Sequence, residues 1–266
     1  MEIYSVINMD IVGSRLISER DRLQNKLNEY IDIVYQKFQK YLPTPISITL
    51  GDEWQLITDS PSESYNIIHE FQQFLWLEGI ELYAGIGIGN LSTSIDVDIR
   101  KMDGTSFHMA REALISAKEQ NKKRSRYNGS KHNRIHLKID KNIISGFQYL
   151  SSTHNLEVAA VAEDYNLKAS SQTPLIVDIG VVINTIIDNN EILKSKMTQK
   201  QKEAYISYIK YGSYREVVKM QKEDLRESIA AISQKLNSAE YYTIQHNNQV
   251  VEQLLNQCCT LRRVTY

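Results

Sequence analysis

The sequence predicts an α+β protein in two parts. A β-α-β-β-α-β-α-β block spans residues 1–140, a connector with a long helix spans 141–196, and an all-α block spans 197–266. Two observations carry this reading. Through residue 140, short apolar runs of period two alternate with apolar stripes of period 3.6. After Pro174 the period-two signal disappears and helix-start signatures crowd together.

Residues 2–9 read as a strand ending at Asp10. From Ser18 to Tyr41, Leu23, Leu27, Tyr30, Val34 and Phe38 recur every three or four positions, one face of an amphipathic helix that Pro43 and Pro45 stop. "ISITLGDEWQLIT", residues 46–58, is two β-rich runs around Gly51-Asp52, a hairpin signal. Ser60-Pro61-Ser62-Glu63 predicts the capped start of a second helix that ends near Gly79. "IELYAGIGIGNL" is a strand with Gly85, Gly87 and Gly89 alternating on one face, a pattern of close packing. A third helix covers about 105–120 and "RIHLKI" closes the block as a strand. The first six elements have the ferredoxin-like order, in which the sheet carries helices on one face.

The connector gives a weak signal over 141–172 and then a helix from Pro174 to Lys194. Beyond it, Thr198 with Gln201, Ser213 with Glu216, and Asp224 with Glu227 each match an N-cap followed by an acid or amide three residues on. These predict helices near 199–211, 214–220 and 225–238, with a fourth over 242–257. The spacing is that of a helix-turn-helix, with DNA as the partner and a homodimer as the binding form. A helical bundle used only for dimerisation is the alternative, and the turn Gln221-Lys222-Glu223 lacks the usual glycine. In the DNA reading, Leu225, Ile229, Ile232 and Leu236 face inward. Arg226, Ser228, Ser233 and Lys235 then lie outside that stripe, with Arg226 in the first turn of the recognition helix.

Composition narrows the function classes. A net charge of −1 excludes a generally basic, nucleic-acid-coating chain but permits local basic faces. The only cysteines, Cys258 and Cys259, are adjacent, so no disulfide framework is expected and a cytoplasmic setting follows. No apolar run approaches the roughly 18 residues that would cross a bilayer, so no membrane partner is expected.

The chemistry concentrates at "INMDIVGSR", residues 7–15. A strand that ends on a buried carboxylate is costly unless the acid is paired or holds a cation. With the first strand central and next to the strand entering the Gly51-Asp52 hairpin, Asp10 and Asp52 are expected to face each other, within about 8 Å, with Glu53 beside them. Val12, Gly13 and Ser14 offer backbone N–H groups at a helix start, and Arg15 a guanidinium, for phosphate. The basic run that includes Lys118 and Lys122 reads either as a solvated loop or as a triphosphate contact.

"MDIVGSR", "TLGDEWQ", "GIGIGNL" and "DGTSFHMAREALISAKE", in this order and spacing, resemble the SatD family of bacterial proteins. That similarity covers most of the chain, extends to a C-terminal helix-turn-helix, and leaves 141–172 without a counterpart. More distantly the same motifs resemble the palm domains of class III nucleotidyl cyclases and GGDEF-type diguanylate cyclases. The resemblance implies a palm fold and Mg²⁺ held by Asp10, the carbonyl of Ile11, and Asp52 or Glu53, bridging to a nucleotide. It also implies an Asn and an Arg in the third helix, where this chain has His108 and Glu112, with Arg111 about 100° away on the helix. Nucleotide binding with little turnover is the resulting expectation, within a DNA-binding regulator. The alternative is an active nucleotidyl cyclase or nucleotidyltransferase whose C-terminal helices serve dimerisation or control.

Overall fold

The computed structural model describes residues 2–119, 132–143, 178–223 and 226–260. Most of the 141–172 stretch, the expected helix start at Pro174, and Lys122, Asp224 and Leu225 lie outside these residues. The first block has the expected order: β1 (Tyr4–Ile11), α1 (Arg20–Phe38), β2 (Ser47–Leu50), β3 (Glu53–Thr58), α2 (Ser64–Leu77), β4 (Leu82–Gly89), α3 (Thr105–Glu119) and β5 (Ile135–Ile139). The strands form one sheet in the order β2-β3-β1-β4-β5, antiparallel except for the β4–β5 pair.

Alternation along β1 assigns the two faces. Ile7, Met9 and Ile11 join Trp54, Leu56 and Ile86 in a core covered by Leu27, Val34 and Phe38 of α1 and Ile67, Phe71 and Leu75 of α2. The even-numbered residues Tyr4, Val6, Asn8 and Asp10 share the opposite face with Gly89, Gly87, Gly85 and Tyr83 of β4. Helix α3 rests on those glycines almost backbone to backbone. A Cβ at Gly87 would stand 2.0 Å from the Ala110 nitrogen, and one at Gly85 would stand 2.2 Å from the Leu114 nitrogen.

Four local expectations are corrected. β1 lies next to β3, the strand that leaves the hairpin, and not next to β2, which enters it. The chain passes from β1 through a short 3₁₀ turn, Ser14–Leu16, before α1 begins at Arg20, so Val12, Gly13 and Ser14 do not open a long helix. Ser60 makes no cap to α2, because its hydroxyl meets that of Ser62 and a 3₁₀ turn intervenes. The fourth concerns the last block.

That block contains α4 (Ile179–Ser195), α5 (Gln199–Tyr211), α6 (Tyr214–Met220), α7 (Ile229–Ser238) and α8 (Tyr241–Thr260). Thr198 and Gln201 form the expected reciprocal capping box, and Gly212 ends α5 in the left-handed region at φ 75°. Helix α7 starts four residues later than expected, capped by Ser228 on the Ala231 amide and not by Asp224. Residues 221–228 therefore separate α6 from α7, about twice the three or four residues of a helix-turn-helix turn. Ile229, expected inside, is 46% exposed.

The helices bury two surfaces. Ile183 and Ile187 of α4 and Val251 and Leu255 of α8 enter the sheet core, while Tyr205, Val217, Ile232, Leu236 and Ile244 form a second core that takes in Trp76 from α2. At the outer side of β5, the Asn184 carboxamide of α4 accepts from the Leu137 N–H and donates to the Leu137 carbonyl, both at 2.9 Å. Among the described residues, no helix is long and apolar enough to cross a membrane.

Between α2 and α4 lies a buried ion pair. Lys194 Nζ is 2.8 Å from Glu191 Oε1 and also reaches Tyr65 Oη and Gln72 Oε1, while the Tyr65 hydroxyl and the Gln72 amide donate to Glu191. Burial pulls the Lys194 ammonium below its usual range and Glu191 opposes that shift. Removing one partner strands the other charge.

Two stability outcomes follow. Gly87→Ala should cost about 3 kcal/mol or more in a urea melt, because the obstacle is helix backbone and not a movable side chain. Lys194→Met should cost about 3–5 kcal/mol, and adding Glu191→Leu should recover most of that loss. A double variant no more stable than Lys194→Met alone would show that the pair is not the source of the cost.

Candidate functional site

The end of β1 and the tip of the β2–β3 hairpin bring acids together because β1 and β3 pair in register, with Asp10 opposite Glu53. Residues opposite each other in an antiparallel pair share a face, so Asp10 and Glu53 point to the α3 side. Asp52 sits in the turn beside Gly51, whose φ of 60° makes the tight reversal. The carboxyl groups of Asp10 and Asp52 lie close enough for each to shift the other's proton affinity.

Each acid also has a basic or hydroxyl neighbour. Lys118, in the last turn of α3, sets its ammonium 2.6 Å from Asp10 Oδ2. Arg20, the first residue of α1, lies 3.5 Å from Asp52, and the Ser14 hydroxyl donates to the same carboxylate. Arg111 and Lys118 both act on Glu53. Asn8 and Gln55 continue the polar strip one rung deeper, the Gln55 amide donating to Asn8 Oδ1.

These contacts separate the acids' proton affinities. Burial raises the Asp10 pKa, the Lys118 ammonium opposes the rise, and Asp52 reinforces it. Burial also works to raise the Asp52 pKa, but hydrogen bonds from Ser14 and its own amide, with Asp10 and Arg20, bring it below the usual value. Glu53 is raised, chiefly by burial, with Lys118 opposing. Of the pair, Asp10 is therefore the acid that takes a proton more readily.

The structure places the other expected residues as follows. The Val12 N–H donates to the Glu81 carbonyl at 2.9 Å, which commits it to the sheet margin and takes it from the phosphate role. Gly13 adopts φ 65° and Arg15 is exposed. Ile11 is the last residue of β1, its side chain in the core. Glu112 turns to Lys138 of β5 at 2.9 Å. The residue on the acids' side of α3 is thus Arg111, one position before the place where the cyclase motif carries its arginine. Arg20 falls in no motif, and Arg111 lies in the third-helix motif one position off the expected arginine, where the helix turn was expected to point it away; the fold brings both helices to the acids. Among the described residues, no group of three or more His, Cys, Asp or Glu is arranged as a metal site.

The expected DNA-reading residues do not form one exposed helical face. Arg226 precedes the α7 cap and is exposed, Ser228 is the cap, Ser233 is half-buried, and Lys235 is ion-paired with Glu227.

The chain matches the SatD family over residues 4–163 and belongs to that family. The match runs into the 141–172 stretch, which was expected to lack a counterpart, and stops before the C-terminal helices. No curated protein matches the chain. Solved structures similar to it include the adenylyl cyclase CyaB from P. aeruginosa, 14% identical over 41% of this chain and 70% of that one, with a TM-score of 0.29. The guanylyl cyclase domain of RhoGC from Blastocladiella emersonii is 14% identical over 42% and 85%, with a TM-score of 0.26. The guanylate cyclase domain of RhGC from Catenaria anguillulae is 13% identical over 42% and 84%, with a TM-score of 0.25. At those scores the likeness does not bear on the site.

Because the folded Asp10 pKa lies above its unfolded value of 3.8, ionising Asp10 at neutral pH works against folding. Asp10→Asn should therefore raise the melting temperature at pH 7, and the gain should fade as the pH drops towards 4 and Asp10 itself takes a proton. A gain that persists unchanged in acid would exclude this origin.

Proposed function

We propose that this protein binds a nucleoside polyphosphate together with a divalent cation. The observation that carries the reading is the Asp10–Asp52 pair: two neighbouring, half-buried carboxylates from separate elements, bordered by Lys118, Arg20 and Arg111. A hard cation between the carboxylates would cancel their repulsion. The donor set suits Mg²⁺, which is commonly held by one or two carboxylates and completes its shell with water and substrate phosphates. Glu53 and the carbonyl of Ile11 are the additional oxygens available. Once bound, the cation would neutralise phosphate charge. Lys118, released from Asp10, and the two arginines would turn to the phosphates.

A second reading, turnover of the nucleotide, is favoured by Arg111. An arginine on the acids' side of α3 can stabilise a transferring phosphoryl group, and this removes the ground for expecting binding alone.

Calorimetry with ATP and GTP, with and without Mg²⁺, tests the first reading. Binding should require the cation and be lost in Asp52→Asn, whereas Lys118→Ala should weaken it by about tenfold or more. Binding that ignores Mg²⁺, or that survives Asp52→Asn, would remove the proposal. Analysis of products in the same mixtures decides between binding and turnover.

A further inference from the structure

A groove of about 1100 Å³ runs along β5 between α3 and α4. It has room for an extended small molecule, since ligand sites commonly measure roughly 300–1,000 Å³. On its floor His136 and Lys138 of β5 lie beside Gly85 and Gly87, and Asp140 continues that alternation. Asp140 is 7% exposed. Its Oδ1 accepts from the Asn142 N–H at 3.0 Å, whereas its Oδ2 is buried and has no hydrogen-bond partner. A buried carboxylate oxygen without a donor is costly, and a ligand in the groove that brings a donor would remove that cost.

The other charges define that donor. Lys138 pairs with Glu112 of α3 at 2.9 Å, and Lys141 acts on the same carboxylate, so the basic groups gather around α3. His136 is neutral, its pKa pushed down to about 4 by burial and by Lys138. On the α4 side, Asp178 and the half-buried Asp188 add two more acids. The amides at the start of α4 meet part of the Asp178 charge, its Oδ1 accepting from the Gly180 N–H at 2.7 Å. The carboxylates Glu112, Asp140, Asp178 and Asp188 outnumber the two lysines, so the groove is net negative. Its acids are also spread out. Asp178 and Asp188 stand about 15 Å apart along the helix axis, and among the described residues no three acids or histidines gather as a metal site. Val181, 58% exposed, and Met109 supply apolar surface, and the exposed Asn142 and Asn189 add carboxamide oxygens. Asn184 and Thr185 are already committed, to Leu137 and to the Val181 carbonyl.

We infer that this groove binds a linear polyamine, with one ammonium group donating to Asp140, a second meeting Asp188, and the methylene chain lying on Met109 and Val181. A metal ion needs its oxygens gathered at one point. Ammonium groups separated by methylenes instead match acids separated along a groove, and each needs only one or two acceptors. The site shares no residue with Asp10, Asp52 or their basic neighbours and does not depend on nucleotide binding.

The test is calorimetric titration of the full chain with spermidine and spermine, and with butylamine as the control carrying a single ammonium. Constant ionic strength and excess Mg²⁺ ensure that the acid pair and the exposed acids are already met by a divalent cation. Both polyamines should bind saturably, and about tenfold or more tightly than butylamine. Asp140→Asn keeps an acceptor for the Asn142 N–H and removes the charge. Thr185→Lys, at an exposed position of α4, places a competing ammonium in the groove. Each should weaken spermidine binding by about tenfold. Should Asp140→Asn fail to fold, Thr185→Lys alone decides the question. Absence of binding by both polyamines at millimolar concentration, butylamine binding as tightly as they do, or affinity unaltered by the variants would each overturn the inference.

Discussion

The contact between the backbone of β4 and the backbone of α3 sets the geometry of the whole acid-bearing face. With glycine at three alternate positions, the helix sits lower on the sheet than any side chain would permit, nearest the middle of β4. That depth is what lets Lys118 reach Asp10 from the last turn of α3, and what places Arg111 beside Glu53. A helix standing off by the width of a methyl group would leave the acids facing water and their repulsion unrelieved. Close packing and electrostatics are here one constraint seen from two sides.

The opposite face follows a different logic. There the sheet is covered by four helices drawn from both ends of the chain, and α2 is the common partner. One side of α2 fills the sheet core, and the other meets Glu191, Lys194 and Tyr205 through polar contacts. An apolar seam in the same place would tolerate sliding. A set of directional hydrogen bonds around a buried charge pair accepts a single alignment, because any shift leaves a charge without its partners.

How much the sequence discloses depends on whether the signal is local. The element order, the hairpin at Gly51-Asp52, the capping box at Thr198 and the Gly212 stop all arise from contacts within a few residues, and all appear where their spacing puts them. The alternating glycines are legible as packing positions for the same reason. The failures have a common cause too. Ser60 carries the right cap chemistry, but its hydroxyl meets that of Ser62 in an intervening 3₁₀ turn, and the cap of α7 falls to Ser228; spacing does not rank such competitors. Asp10 and Asp52 are identifiable as partners because each ends a local motif. Arg20 is not, since its place at the site depends on how a whole helix lies; Arg111 is legible only as the neighbour of the motif position, which Glu112 occupies while pointing elsewhere.

Asn184 has a consequence for the sheet as a whole. A strand's free edge offers one N–H and one carbonyl per rung to any passing backbone, and the carboxamide of Asn184 takes both at Leu137. At that rung the place of a neighbouring peptide is filled by a side chain whose own helix is anchored by Ile183 and Ile187 in the core. A foreign strand seeking to dock there must first lift α4 from the interior. Resistance to templated growth at that rung is thereby tied to the stability of the core itself.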